Sequence, residues 1–254
     1  LSWLHNGASA YNLYMQFGAS GTGLDMDSDS FLQVLAGIQA SRKGEGPAAF
    51  SLDKHLVDVA RSRDELRRQA ASGDEFAQIQ LQATRENLDS KWVGFDREGG
   101  RKEDVKERVY LNTTANASAA VFRRVVHEIL DNPEDFPGVN SAKIAGALML
   151  GSRAESIVIY TEDSDTTARV VRKMEQIRES MPADAFVEGS PLMTARASMG
   201  IAVGEEPTVQ QKVQSDQTTG LKQNDNSFGG LRTDLIQHAR NEILGSLRPD
   251  SSRA

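Results

Sequence analysis

Over the first ninety residues the apolar positions recur at helical spacing. Phe31, Leu32, Val34, Leu35 and Ile38 follow the capping pair Asp29-Ser30, and the run breaks at Gly44, Gly46 and Pro47. A second helix is predicted over 52–71. Its Arg61, Arg63, Asp64, Glu65, Arg67 and Arg68 read as a solvated charged face. After Gly73-Asp74 a third helix is predicted over 75–88 through Phe76, Ile79 and Leu81.

The pattern then shortens. Residues 92–95 and 108–112 are strand signals, separated by a charged, glycine-bearing loop over 97–106. Asn116 to Ser118 can cap a helix from about Ala119 to Leu130, with Phe122, Val125, Val126 and Ile129 inward, ended by Asn132-Pro133 and Pro137-Gly138. Residues 143–150 and 155–161 read as strands. Ser164 caps a helix with Val170, Val171, Met174, Ile177 and Met181 on one side, and 197–203 reads as a further strand. From 204 to 226 almost nothing is available to bury, so a mobile loop is expected: a surface insertion, or less simply a lid. A final helix opens at Ser227-Phe228-Gly229-Gly230-Leu231-Arg232, with Leu235, Ala239, Ile243 and Leu247 as its apolar stripe. The expected class is α+β in one domain over 1–254: a helical part over 1–90, then a mostly antiparallel sheet flanked by helices over 91–254.

Composition narrows the chemistry. The chain has 254 residues, 39% of them hydrophobic, enough for a substantial core. A net charge of -7 argues against non-specific nucleic-acid binding. With no cysteine there is neither a disulfide framework nor a thiolate metal site. No apolar run reaches the ~20 residues of a membrane span. A chain that opens at Leu1 reads as a trimmed segment, so a targeting signal would lie upstream.

Most motif readings fail. Ser20-Gly21-Thr22-Gly23 precedes acidic residues that would repel phosphate. Asp25, Asp27 and Asp29 alternate like a calcium loop but lack its glycine and terminal glutamate, so helix N-terminal charge explains them better. His5, His55, His127 and His238 show no zinc spacing, and no nucleophile elbow is present. Neither a metal nor a cofactor is expected, and no catalytic residue is assigned. One constellation remains. Arg108, Tyr110 and Asn112 alternate along a strand whose Val109 and Leu111 take the other face. Lys143 begins another strand, and Arg232 follows a glycine pair at a helix start. If they converge, these five residues make an anion pocket; spacing alone favours an ordinary solvated sheet face.

Several segments resemble the HopA family of type III effectors of plant-pathogenic pseudomonads. They are SIVIY (156–160), ARVVRKMEQI (168–177), and PADAFVEGSPLMTARASMGIAV (182–203) with its FVE-x-x-P-L-x-T core. The RVYLN strand and the SFGGLR helix start belong to the same likeness, which covers about half the chain, best over 143–244. The resemblance implies an antiparallel sheet flanked by helices, delivery through the type III system into plant cells, and virulence or avirulence with a hypersensitive response. It further implies binding to a lipase-like plant immune hub of the enhanced-disease-susceptibility type, and a secretion signal and chaperone-binding segment upstream of Leu1.

A weaker likeness is to the phosphothreonine lyases, which remove phosphate by β-elimination. They use a Lys-x-His strand, a lysine base on the next strand and arginines that clamp phosphate. Here the strand reads Arg108-x-Tyr110, Lys143 stands where the base would be, and Arg232 is a candidate clamp. Tyrosine, with an unperturbed pKa of about 10, is a poorer proton donor than histidine. Two functions are therefore expected to compete: an interaction effector, and an enzyme or module acting on phosphorylated Ser or Thr.

Overall fold

A computed structural model describes residues 18–42, 52–97, 100, 104–219 and 228–246. Helix α1, Ser28–Ala40, starts where Asp27 accepts hydrogen bonds from the backbone of Asp29 and Ser30, both at 3.0 Å. Asp27, rather than Asp29, is therefore the cap. The Ser30 backbone and hydroxyl bonds, with Arg67, hold its carboxyl well below the usual carboxylate range. Phe31, Leu32, Leu35, Ala36 and Ile38 are buried, as their spacing requires. Helices α2, Leu52–Ala71, and α3, Glu75–Leu88, follow. Gly73, at φ +97°, makes the left-handed turn between them, and Asp74 caps α3 through Phe76 and Ala77. The α3 side chains Phe76 and Ile79 are each 67% exposed, so this helix does not bury that stripe.

The charged face of α2 has one exception. Arg63 turns inward, 2% exposed, and reaches Asp29 at 2.5 Å and Asp89 at 3.1 Å. The solvated reading holds for Arg61 and Arg68, whose side chains are open to water, but not for Arg63. A buried guanidinium needs this pairing, because an uncompensated charge inside a protein is costly.

Six strands form one sheet: β1 (Trp92–Asp96), β2 (Glu107–Leu111), β3 (Val139–Ala145), β4 (Ile157–Thr161), β5 (Ala195–Ser198) and β6 (Ile201–Glu205). Their order is β1-β3-β4-β2-β6-β5, and every neighbouring pair is antiparallel. Register lines up two apolar rows on one face. Val93, Ile144, Ile157, Leu111 and Ile201 form the first; Phe95, Ala142, Ile159, Val109 and Val203 form the second. The helices cover this face. They are α2 against β1, then α4 (Ala115–Val125) with the π-helical turn Val126–Leu130 against β3, and α5 (Ser164–Glu179) against β2, β4 and β6. Phe95 and Phe122 meet edge to face at 5.0 Å. The α+β class and the helical N-terminal part are as the sequence led one to expect.

Local expectations shift in four places. Asn116 does not cap α4, whose N-cap is Thr114. It bonds Asp25 instead, tying the segment before α1 to this helix. Strand β3 runs over 139–145 rather than 143–150, because the apolar residues 147–150 sit in a turn pinned by Leu148 N–H to Asp89 O. The single strand expected over 197–203 is the β5–β6 hairpin. It turns at Gly200, φ +69°, where a Cβ would stand 2.8 Å from Asn112 O.

The largest correction concerns 204–226. Instead of a loop, α6 occupies Val209–Thr219, and residues 220–226 lie outside the described ones. Thr208 and Gln211 make a reciprocal capping box, Thr208 N–H to Gln211 Oε1 at 2.8 Å and Gln211 N–H to Thr208 Oγ1 at 3.2 Å. α6 packs on α7, Phe228–Ser246, burying Ser215 while Val209 and Val213 stay exposed. Of the expected apolar stripe of α7, Leu235 and Ala239 are exposed and Ile243 is 60% exposed, and Leu247 lies outside the described residues.

Replacing Arg63 by Ala should destabilise the fold by roughly 3–5 kcal/mol, because Asp89 is left buried and uncompensated. Arg61→Ala, at a position 76% exposed, should change stability by less than about 0.5 kcal/mol. Urea unfolding of both variants checks the contrast; equal effects would remove the buried pair from its assigned role.

Candidate functional site

The sheet's second face carries different residues. In one row Gly94, Lys143, Val158, Tyr110 and Ala202 stand opposite one another; in the next, Asp96 and Ser141 meet Tyr160, Arg108 and Gly204. Tyr110, Val158 and Ala202 are buried here against Trp92, Tyr160 and Leu192. This face is therefore not the open solvated surface that spacing alone favoured.

Cations and rings alternate across it. The Arg153 guanidinium lies 5.2 Å from the Trp92 ring, and Lys143 Nζ lies 4.4 Å from the same ring. Lys143 Nζ is 5.4 Å from the Tyr160 ring, over which Arg108 sits at 4.8 Å. Carboxylates close both ends: Arg153 pairs with Glu155, and Arg108 with Glu206. Glu206 is placed by its backbone N–H, which donates to Lys106 O at 2.7 Å just beyond β6. The order along the ladder is Glu155, Arg153, Trp92, Lys143, Tyr160, Arg108, Glu206. Each cation–ring contact contributes on the order of 1 kcal/mol, more where water is excluded.

Charge within the ladder sets the protonation of its members. Burial pushes the Lys143 ammonium from its ordinary 10.5 down to about 7, helped by Arg108 and Arg153, while Glu155 and Glu206 oppose the shift. Burial likewise raises the Glu155 carboxyl, against Arg153 and Lys143. Arg108 is desolvated too, yet Tyr160, Tyr110 and Glu206 hold it firmly protonated. Three cations against two carboxylates leave +1 when Lys143 is charged and zero when it is neutral.

Of the five candidate residues, Arg108, Tyr110 and Lys143 share this face. Asn112 serves another purpose. Buried beyond the end of β2, its side-chain amide donates to Gly18 O at 2.8 Å, while its backbone bonds Gly200 and Val187. It clasps three chain segments rather than facing a ligand. Arg232 sits on α7, between the buried Leu231 and Thr233. Trp92, Arg153, Glu155, Tyr160 and Glu206 escaped sequence reasoning. Tyr160 was within reach: once β2 and β4 pair antiparallel, it stands opposite Arg108. His127 lies apart, bridging Ser41 and Asp131 behind the core helices. Among the described residues, no three His, Asp or Glu side chains are grouped to hold a metal. Among the described residues, no helix is long and apolar enough to cross a membrane.

Because folded Lys143 releases its proton near pH 7 and unfolded lysine near 10.5, the unfolded chain binds more protons between those values. Stability should rise with pH across that interval, by on the order of 1 kcal/mol per unit. Lys143→Met should remove this slope, measured by denaturant unfolding between about pH 7 and pH 9. An unchanged slope in the variant would assign the effect elsewhere.

The family model described as the HopA1 effector protein family matches residues 83–237. Two solved structures share the fold. An effector protein from Pseudomonas syringae pv. tomato strain DC3000 has a TM-score of 0.53 at 16% identity, over 93% of this chain and 91% of that one. An effector protein from Pseudomonas syringae pv. syringae strain 61 has a TM-score of 0.52 at 15% identity, over 90% of this chain and 84% of that one. No curated protein matches the chain.

Proposed function

This chain belongs to the HopA1 effector protein family, and from that premise we propose that it is delivered by a type III secretion system into plant cells, where it binds a host immune regulator. The partner that the family resemblance implies is the lipase-like hub of the enhanced-disease-susceptibility type. The outcome of binding is modulated or elicited immunity, including a hypersensitive response where the effector is recognised. A secretion chaperone would engage a segment outside this chain.

The observation that carries the reading is the pairing of both ladder arginines with glutamates of the chain itself. An enzyme that clamps phosphate needs its guanidinium groups available to the substrate. The ladder instead combines Trp, Tyr and Arg, the residue types that dominate protein contacts. A second reading keeps the lyase-like layout. Lys143, half-buried with its ammonium brought down to about 7, has the protonation behaviour of a general base near neutrality. Against that reading, Arg108-x-Tyr110 replaces the Lys-x-His pair and supplies no imidazole acid.

Immobilised protein should retain the hub from plant extract, and Tyr160→Ala should weaken capture at least ~10-fold. Circular dichroism would verify that the variant is folded. Wild-type protein that retains no hub complex ends the interaction reading. Loss of phosphoric acid from a phosphothreonine peptide, seen by mass spectrometry, would establish the lyase reading in its place.

A further inference from the structure

We propose that the second sheet face anchors a single carboxylate on Lys143 Nζ, supplied by an acidic side chain or chain terminus of a protein partner. This rests on the reading of that face as a contact surface. The argument begins with an asymmetry in the ladder. Arg153 and Arg108 each hold a glutamate. Among the described residues, Lys143 makes neither a hydrogen bond nor an ion pair, and its ammonium meets only the Trp92 and Tyr160 rings. Ring faces satisfy the charge but leave the directional N–H donors of an ammonium unused. The central cation can thus take an acceptor without displacing a partner.

Charge then selects the acceptor. With Lys143 protonated the ladder totals +1, three cations against two carboxylates. A monoanion brings it to zero. A phosphate dianion brings it to -1, with Glu155 and Glu206 both close enough to act on the Lys143 charge. Those glutamates guard the site against doubly charged ligands while leaving room for one carboxylate. Binding a carboxylate also restores the proton that burial drives off Lys143, so occupancy and protonation are linked.

The test follows Lys143 directly by NMR of protein carrying 13Cε-labelled lysine, its resonance identified by its absence in Lys143→Met. Acetate and inorganic phosphate are added in parallel at constant ionic strength. Acetate should raise the Lys143 midpoint by about one pH unit, and phosphate should raise it less. Glu206→Gln, which adds one positive charge, should reverse that preference. A phosphate effect equal to or larger than that of acetate in the wild type overturns the proposal and favours the lyase-like reading. No shift with either anion also overturns it. Hub capture separates this proposal from the reading beneath it. Lys143→Met should lose capture about tenfold; undiminished capture refutes the anchor and leaves the contact surface standing. A wild type that captures no hub removes the partner, while the acetate titration still decides the anion site.

Discussion

The register of β2 is the constraint on which the rest depends. Val109 and Leu111 meet Ile159 and Ile157 on one side and Val203 and Ile201 on the other, completing two apolar rows. A slip of one residue would exchange the faces. Arg108 and Tyr110 would then point into the helices, and Val109 and Leu111 would join the ladder. Burying an unpaired guanidinium costs several kcal/mol, and exposing two aliphatic side chains forfeits roughly 1.5–3 kcal/mol each. No alternative pairing recovers both losses, so the hydrophobic core also fixes the geometry of the polar face.

That polar face is a balance rather than a source of stability. Cation–ring contacts of on the order of 1 kcal/mol do not offset the desolvation of three cations. The two glutamates make the difference at Arg108 and Arg153. At Lys143 no carboxylate is paired, and burial brings its ammonium down to about 7 against the more distant pull of Glu155 and Glu206. Arginine cannot respond this way, because it stays protonated at any ordinary pH. The distribution of residue types follows: arginines where a carboxylate is supplied, lysine where none is.

Much of this was legible in the sequence, and the failures have physical causes. Strand β2 declared both its faces, because Arg108, Val109, Tyr110 and Leu111 alternate in polarity. Strand β4 hid its faces: Ile157, Val158 and Ile159 are all aliphatic, so Tyr160 joined the site only when pairing became known. Asn112 kept the alternation but lies past the strand end, where backbone groups of other segments needed a donor. Arg63 was indistinguishable by spacing from Arg61 and Arg67, since its burial depends on Asp29 and Asp89, distant in sequence. Helix α6 carried a readable capping box, but its small apolar content argued for a loop. Its contact with α7 is tertiary, which composition does not display.

The helical lobe presents a different physical situation. Arg63 and Asp29 lie outside the segment matched by the family model, whereas Asp89 lies within it. Leu56 and Ala60 of α2 contribute apolar burial to the same core as the sheet, but hydrophobic contact is non-directional and tolerates sliding. A guanidinium gripping two carboxylates does not. Its planar donors fix both distance and orientation, so the triad Asp29–Arg63–Asp89 sets the angle at which α1 and α2 meet the strand that begins at Trp92. Trp92 is itself the ring between Arg153 and Lys143. The buried arginine in the helical lobe therefore bears on the polar face through the short stretch from Asp89 to Trp92, and links helices outside the segment matched by the family model to the site on the sheet.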